Sequence, residues 1–263
     1  MNENPLDALR GARSARIDEH AELRKSPEWQ AEIRRHDRMF RHFVRGVHYC
    51  WIAASRSTLS LNNSLVLRHT DDLLQTAIVI RSSVENGAQN PARREQRYAL
   101  ESLVHFAYVD QENPQSSLDE RLEFYKHNVE KSDLKKLEHL KFFLLSDVDA
   151  QELKSELNSE YSRLCRYVHP STEQLRASID SAAEGRPLGF ERVESLAALN
   201  RDVFRLFDVL LALYFHGVGR DASGDAFVQA LDSDPDWKFH KGKFTKRISQ
   251  YFDYKAERND RGA

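Results

Sequence analysis

Arg163, Arg166 and His169 stand at i, i+3 and i+6 in the stretch Tyr161-Ser-Arg-Leu-Cys-Arg-Tyr-Val-His-Pro-Ser171. An imidazole changes protonation near neutral pH and so can pass protons. A guanidinium stays charged and presents a planar fork of donors to phosphate oxygens. Residues three apart on a helix are neighbours, so these three form one basic face. Ser159 and Ser162 fall on the same arc at about 100° per residue. The opposite arc carries Leu153, Leu157, Tyr161, Leu164 and Val168, an apolar stripe of helical period. Pro170 disfavours the helical conformation at His169 and predicts that the helix ends there. Ser171-Thr-Glu-Gln174 then reads as a capping box opening the next helix. The imidazole is thereby placed at a helix–helix junction. A polar arc opposite a core stripe also fits a face that is simply solvated, and both readings stand at this point.

The elements that must position this face are helical by pattern. Residues 91–111 carry Tyr98, Leu100, Leu103, Val104, Phe106, Tyr108 and Val109, with Arg97 and Glu101 paired at i, i+4. Residues 192–216 are the most apolar long stretch and predict a closing core helix. Thr70-Asp71-Asp72 predicts a capped helix start, Asn90-Pro91 another, and Leu61–Ser64 a break. Leu118–Val129 and Ser132–Leu145 read as two shorter amphipathic helices, and Glu184–Gly189 as a loop. Ser26-Pro27-Glu28 is a helix start with a cap, a first-turn proline and an acid. The helix it opens carries a basic stripe, Arg34, Arg38, Arg41, Arg45 and His48, at +4, +3, +4, +3. Such a stripe can track phosphates; it can equally face water or an acidic partner. Near the C-terminus, Lys238, Lys241, Lys243, Lys246 and Arg247 interleave with Trp237, Phe239, Phe244, Tyr251, Phe252 and Tyr254. That mixture fits a single-stranded RNA surface or an aromatic docking face with a charged back.

Ten glycines and seven prolines in 263 residues, among many Leu, Ala, Glu, Arg and Lys, predict an all-α chain. The expected organisation is an N-terminal helical extension over 1–69, a helical bundle over 70–219 and a C-terminal helical segment over 220–263, its last residues disordered. A formal net charge of −2 gives no global attraction to nucleic acid, so any basic surface is local. Cys50 and Cys165 lie in helical patterns and read as reduced thiols of a cytoplasmic protein. The polar start Met-Asn-Glu-Asn-Pro does not read as a signal peptide. No run approaches the ~18 apolar residues of a membrane span, so a membrane is not an expected partner. No P-loop, dinucleotide fingerprint or metal-spaced histidine pair is present, and neither a cofactor nor a metal is called for.

Arg163, five intervening residues and His169, in the context Tyr161-x-x-Leu164-x-x-x-Val168-His169-Pro170-Ser171, resemble the signature of HEPN domains, in particular a bacterial HEPN-like branch. The resemblance covers roughly residues 71–216. Arg97-Tyr-Ala-Leu-Glu101 is similar to the helix that precedes the signature in these proteins. One departure is Leu164, where ribonuclease members often carry a polar residue. The resemblance implies an antiparallel helical bundle and metal-independent RNA cleavage, with the RNA's own 2′-hydroxyl as nucleophile. Arg163 would stabilise charge on phosphorus and His169 would carry protons. Arg166, Ser162, Arg97 and Glu101 would support them, and Arg34, Arg38, Arg41 and Arg45 would bind nucleic acid. Two protomers would face each other in a homodimer, and RNA would be the partner. Toxin or antiviral-defence roles are carried over in the same way. The alternative is a non-catalytic helical module, or a subunit of a larger defence or regulatory complex, with a protein partner or antitoxin.

Overall fold

The computed structural model describes residues 5–56, 58–130, 133–167, 171–183 and 192–252. They are all-α, with no strand among them. In chain order the helices are α1 (Pro5–Lys25), α2 (Pro27–Ala54), α3 (Thr58–Asn63), α4 (Leu65–Arg68), α5 (Thr70–Glu85), α6 (Gln89–Glu112), α7 (Leu118–Asn128), α8 (Asp147–Cys165), α9 (Thr172–Ala183), α10 (Val193–Val218), α11 (Arg220–Ala226) and α12 (Lys243–Tyr251). Short 3-10 helices span Lys135–His139 and Lys238–Lys241, and a π turn, Phe227–Leu231, extends α11.

α10 is the axis. From Leu206 to His216 every side chain is buried, so no face is left for water and other helices must surround it. α2, α6, α8, α11 and α12 do so. Phe43 of α2 stacks on Phe207 at 4.2 Å between ring centroids. A Cβ on Gly46 would come within 2.9 Å of Leu211 and 3.1 Å of Trp237, so the glycine permits the close approach of α2. Trp29, Phe43, Leu100, Leu157, Leu210 and Phe244 belong to one continuous core, which thus draws on all three expected segments of the chain. Each fully buried Leu or Phe contributes roughly 1.5–3 kcal/mol.

Four buried polar side chains on α10 give this apolar axis its addresses. Asn200 accepts from His36 Nδ1 at 2.9 Å and donates to the Glu32 carbonyl at 2.9 Å, fixing α2. Asp208 accepts from the Phe244 and Thr245 amides at 2.9 and 3.1 Å, satisfying the start of α12. A Cβ on Gly242 would lie 2.1 Å from the Asp208 carboxylate, so glycine is needed where that carboxylate enters. Tyr214 hydroxyl meets Thr70 Oγ1 at 2.8 Å. His216 donates from Nδ1 to the Ala212 carbonyl at 2.7 Å and accepts at Nε2 from the Leu144 amide at 3.1 Å.

Local expectations and structure agree at α2, where Ser26 Oγ accepts from the Trp29 amide at 3.2 Å with Pro27 in the first turn. They part in four places. Thr70 opens α5 but does not cap it, because its hydroxyl is held by Tyr214. Asn90 lies inside the first turn of α6, not before it; Pro91 is tolerated there since the first amides of a helix need no intrahelical partner. Leu61–Asn63 are helical, and the chain breaks at Ser64. The helix expected over Ser132–Leu145 is instead a 3-10 turn followed by non-helical chain, with Ser132 outside the described residues. Leu134, Leu137 and Leu140 recur every three residues, the 3-10 period. Leu140, Phe142 and Leu144 then alternate buried against exposed Lys141 and Phe143, the period of extended chain. The loop expected at Glu184–Gly189 and the disordered tail lie outside the described residues.

Burial pushes the His216 imidazole down to about 4, and it also lowers His36, His42 and His69. The unfolded chain therefore binds protons at these sites before the folded protein does. Stability is full above the ordinary histidine range near 6.5 and falls as pH drops toward 4, by roughly 3 kcal/mol for His216. Urea midpoints measured from pH 7 to 4.5 should decline accordingly. His216→Gln, which keeps an acceptor for Leu144 but does not titrate, should flatten part of that slope.

Candidate functional site

α8 begins at Ser146, whose hydroxyl accepts from the Asp149 amide at 3.2 Å, and ends at Cys165 with Arg166 as its cap. Leu153, Leu157 and Leu164 are fully buried on α6 and α10. Leu164 is thus a core residue, which explains an apolar side chain directly after Arg163. Ser162 and Arg166 are exposed and Arg163 is half-buried, as the wheel places them. Val168, His169 and Pro170 lie outside the described residues.

Arg163 is clamped. Its Nη2 donates to Glu160 at 2.5 Å and its Nη1 to Asp202 of α10 at 2.9 Å. Asp202 is shared with Arg205 at 2.6 Å. The Glu160 side chain is 3% exposed, inside the apolar stripe, where an unpaired carboxylate would be costly. Of the five N–H donors on a guanidinium, the acids engage one on each terminal nitrogen. The orientation of Arg163 is therefore set by two helices at once, and its charge is compensated.

On the other flank of α8, Arg97 of α6 donates to the Tyr161 hydroxyl at 2.9 Å and pairs with Glu101 at 3.2 Å. Burial raises the pKa of the Tyr161 phenol, so it stays protonated. Arg93 lies over the Tyr167 ring at 4.2 Å, and Arg94 donates to the Tyr167 carbonyl at 3.2 Å. Gln174 of α9 donates to that carbonyl at 2.9 Å, and Ser171 Oγ accepts from the Gln174 amide at 3.1 Å. Ser171 thus caps α9 as expected, while the Gln174 side chain ties α9 back to the end of α8. Arg97 and Glu101 do sit beside α8, but Glu101 pairs with Arg97; the acids on Arg163 are Glu160 and Asp202.

Family models, curated proteins and solved structures give no match to this chain.

The basic stripe of α2 divides in two. Arg41 pairs with Asp37 at 2.8 Å, and Arg45 pairs with Asp234. Arg34 and Arg38 have no carboxylate partner among the described residues; they border an open groove of about 580 Å³ with Arg35, Lys238 and Lys241. Among the described residues no group of three or more His, Cys, Asp or Glu is placed to hold a metal ion. No helix there is long and apolar enough to cross a membrane. Cys50 is buried, and its surroundings push the thiol up to about 12, so it is not a nucleophile at neutral pH.

Glu160 was within reach of sequence reasoning, since it stands at i−3 from Arg163. Asp202 and the meeting of Lys238 and Lys241 with α2 depend on the tertiary fold and left no local signal.

The clamp makes a measurable demand. Arg163→Ala should lower stability by about 3 kcal/mol, because it leaves Glu160 buried and unpaired. Adding Glu160→Gln should recover part of that loss, and urea unfolding of the two single variants and the double variant gives the coupling.

Proposed function

We propose that the chain is a HEPN-like RNA-directed protein whose Arg163 and His169 form a metal-independent endoribonuclease site, completed across a homodimer. The observation that carries the reading is the double clamp on Arg163. A guanidinium fixed by carboxylates from its own helix and from α10 is pre-oriented for a phosphate developing negative charge, with no reorganisation at the moment of reaction. Six positions on, His169 supplies an imidazole, a side chain suited to proton transfer near neutral pH. It would take the 2′-hydroxyl proton or deliver one to the leaving 5′-oxygen, while the 2′-oxygen attacks phosphorus and a 2′,3′-cyclic phosphate forms. Arg166, exposed at the end of α8, would meet the same phosphate. Arg93, Arg94 and Arg97 build the guanidinium-rich wall against which Tyr161 and Tyr167 are held.

A second reading has its own observation. Glu160 and Asp202 also neutralise Arg163, and a neutralised arginine suits a structural strut in a non-catalytic interaction module. In the first role the chain would serve as a toxin or antiviral-defence protein, in the second as an interaction module or a subunit of a larger defence or regulatory complex.

The deciding assay is cleavage of labelled single-stranded RNA and tRNA in EDTA. Wild type should leave 2′,3′-cyclic phosphate ends. His169→Ala should abolish cleavage. Arg163→Lys, which keeps a cation for Glu160 but loses the fork, should lower kcat by at least about tenfold with little loss of stability. Wild-type inactivity, or undiminished cleavage in either variant, removes the catalytic reading and leaves the strut.

A further inference from the structure

The groove beside α2 has an architecture that its sequence stripe does not convey. One wall is α2, with Arg34, Arg35 and Arg38; the other is the 3-10 helix Lys238–Lys241. In a 3-10 helix residues i and i+3 eclipse, so Lys238 and Lys241 stand one above the other on the same side. This segment is locked in place. Trp237 and Phe239 are buried, and Trp237 Nε1 donates to the His42 carbonyl at 2.9 Å. The floor is apolar: Met39, and Phe204 of α10, whose ring stacks on Phe239 at 5.1 Å with an interplanar angle of 3°.

Four of the five cations in the groove are unmatched. Arg35 reaches Glu32 only at 3.6 Å. Arg34, Arg38, Lys238 and Lys241 have no carboxylate within ion-pair distance among the described residues. The neighbouring arginines of the same stripe, Arg41 and Arg45, are each neutralised. Holding like charges together without counter-charge costs folding energy that a bound anion would relieve. The volume, about 580 Å³, lies within the range of sites that enclose a nucleotide-sized group.

We propose that this groove binds single-stranded RNA, with backbone phosphates between the α2 arginines and the two lysines and a base against Phe204. Cations on two walls over an aromatic floor match a phosphate-and-base repeat. An acidic peptide would use the cations and leave the aromatic floor without a counterpart. The surface is separate from Arg163, and strand binding here does not depend on cleavage there.

Fluorescence anisotropy with a short labelled single-stranded RNA in EDTA tests it. The pairs Arg34→Glu/Arg38→Glu and Lys238→Glu/Lys241→Glu should each weaken binding about tenfold or more. The slope of log Kd against log salt should become shallower by about 0.7 for each phosphate contact removed. Arg41→Gln, a residue already paired with Asp37, should leave Kd unchanged. Phe204→Leu should weaken RNA by at least about fivefold while leaving inorganic polyphosphate unaffected, and thermal melting confirms that each variant folds. Binding that ignores both charge reversals overturns the proposal. So does a poly-glutamate that binds as tightly as RNA, or a Phe204→Leu effect equal for RNA and polyphosphate. Binding without cleavage keeps the groove and removes the ribonuclease reading. Cleavage that survives the loss of groove binding does the reverse.

Discussion

Everything in this fold follows from one helix having no outside. From Leu206 to His216 α10 offers only buried positions, and a helix that is apolar all round is stable only when fully enclosed. That demand recruits helices from both ends of the sequence. It also makes the few polar groups on α10 decisive, because burial at low dielectric penalises any donor or acceptor left without a partner. Asn200, Asp208, Tyr214 and His216 each find that partner on a different neighbour. Apolar burial supplies the driving force, which is non-directional. The four polar contacts supply direction, since a helix docked in the wrong register would leave them unmet.

The same division governs the surface. Where a charged side chain meets a carboxylate, the outcome is structural: Arg41 with Asp37, Arg45 with Asp234, Arg121 with Asp110, Arg247 with Asp149 and Glu152. Arg163 sits between categories, matched by two acids yet half-exposed near the end of α8. In the groove beside α2, Arg34, Arg38, Lys238 and Lys241 gather with no carboxylate partner among the described residues.

Legibility in the sequence followed the range of the interaction only in part. Some signals within one or two helical turns read correctly: the Ser26 cap, Leu153, Leu157 and Leu164 on the buried face of α8, the Arg97–Glu101 pair and the apolar length of α10; the Thr70 and Asn90 caps and the Leu61–Ser64 break did not. The 134–144 segment misled because spacing by three occurs in both helix types, and only the later alternation separates them. The C-terminal aromatics resolved as a docking face: Trp237, Phe239 and Phe244 pack into the protein's own core. Lys238 and Lys241 joined a stripe almost two hundred positions earlier, at a separation of 195 for the Trp237–His42 contact. No periodicity within either segment carries that information. Asp202 was hidden for the same reason: it is a local residue of α10 and a distant one for Arg163.

Those separations bear on how the protein comes into being. The apolar face of α2 finds its partners on α10, across 164 positions in the case of His36 and Asn200. Loop closure over such distances is slow relative to helix formation. A chain emerging from the ribosome therefore carries the Phe207-facing side of Phe43 uncovered until residues 203–216 have been made, an interval in which chaperones would find it. The basic groove is assembled later still, when Trp237 closes onto α2.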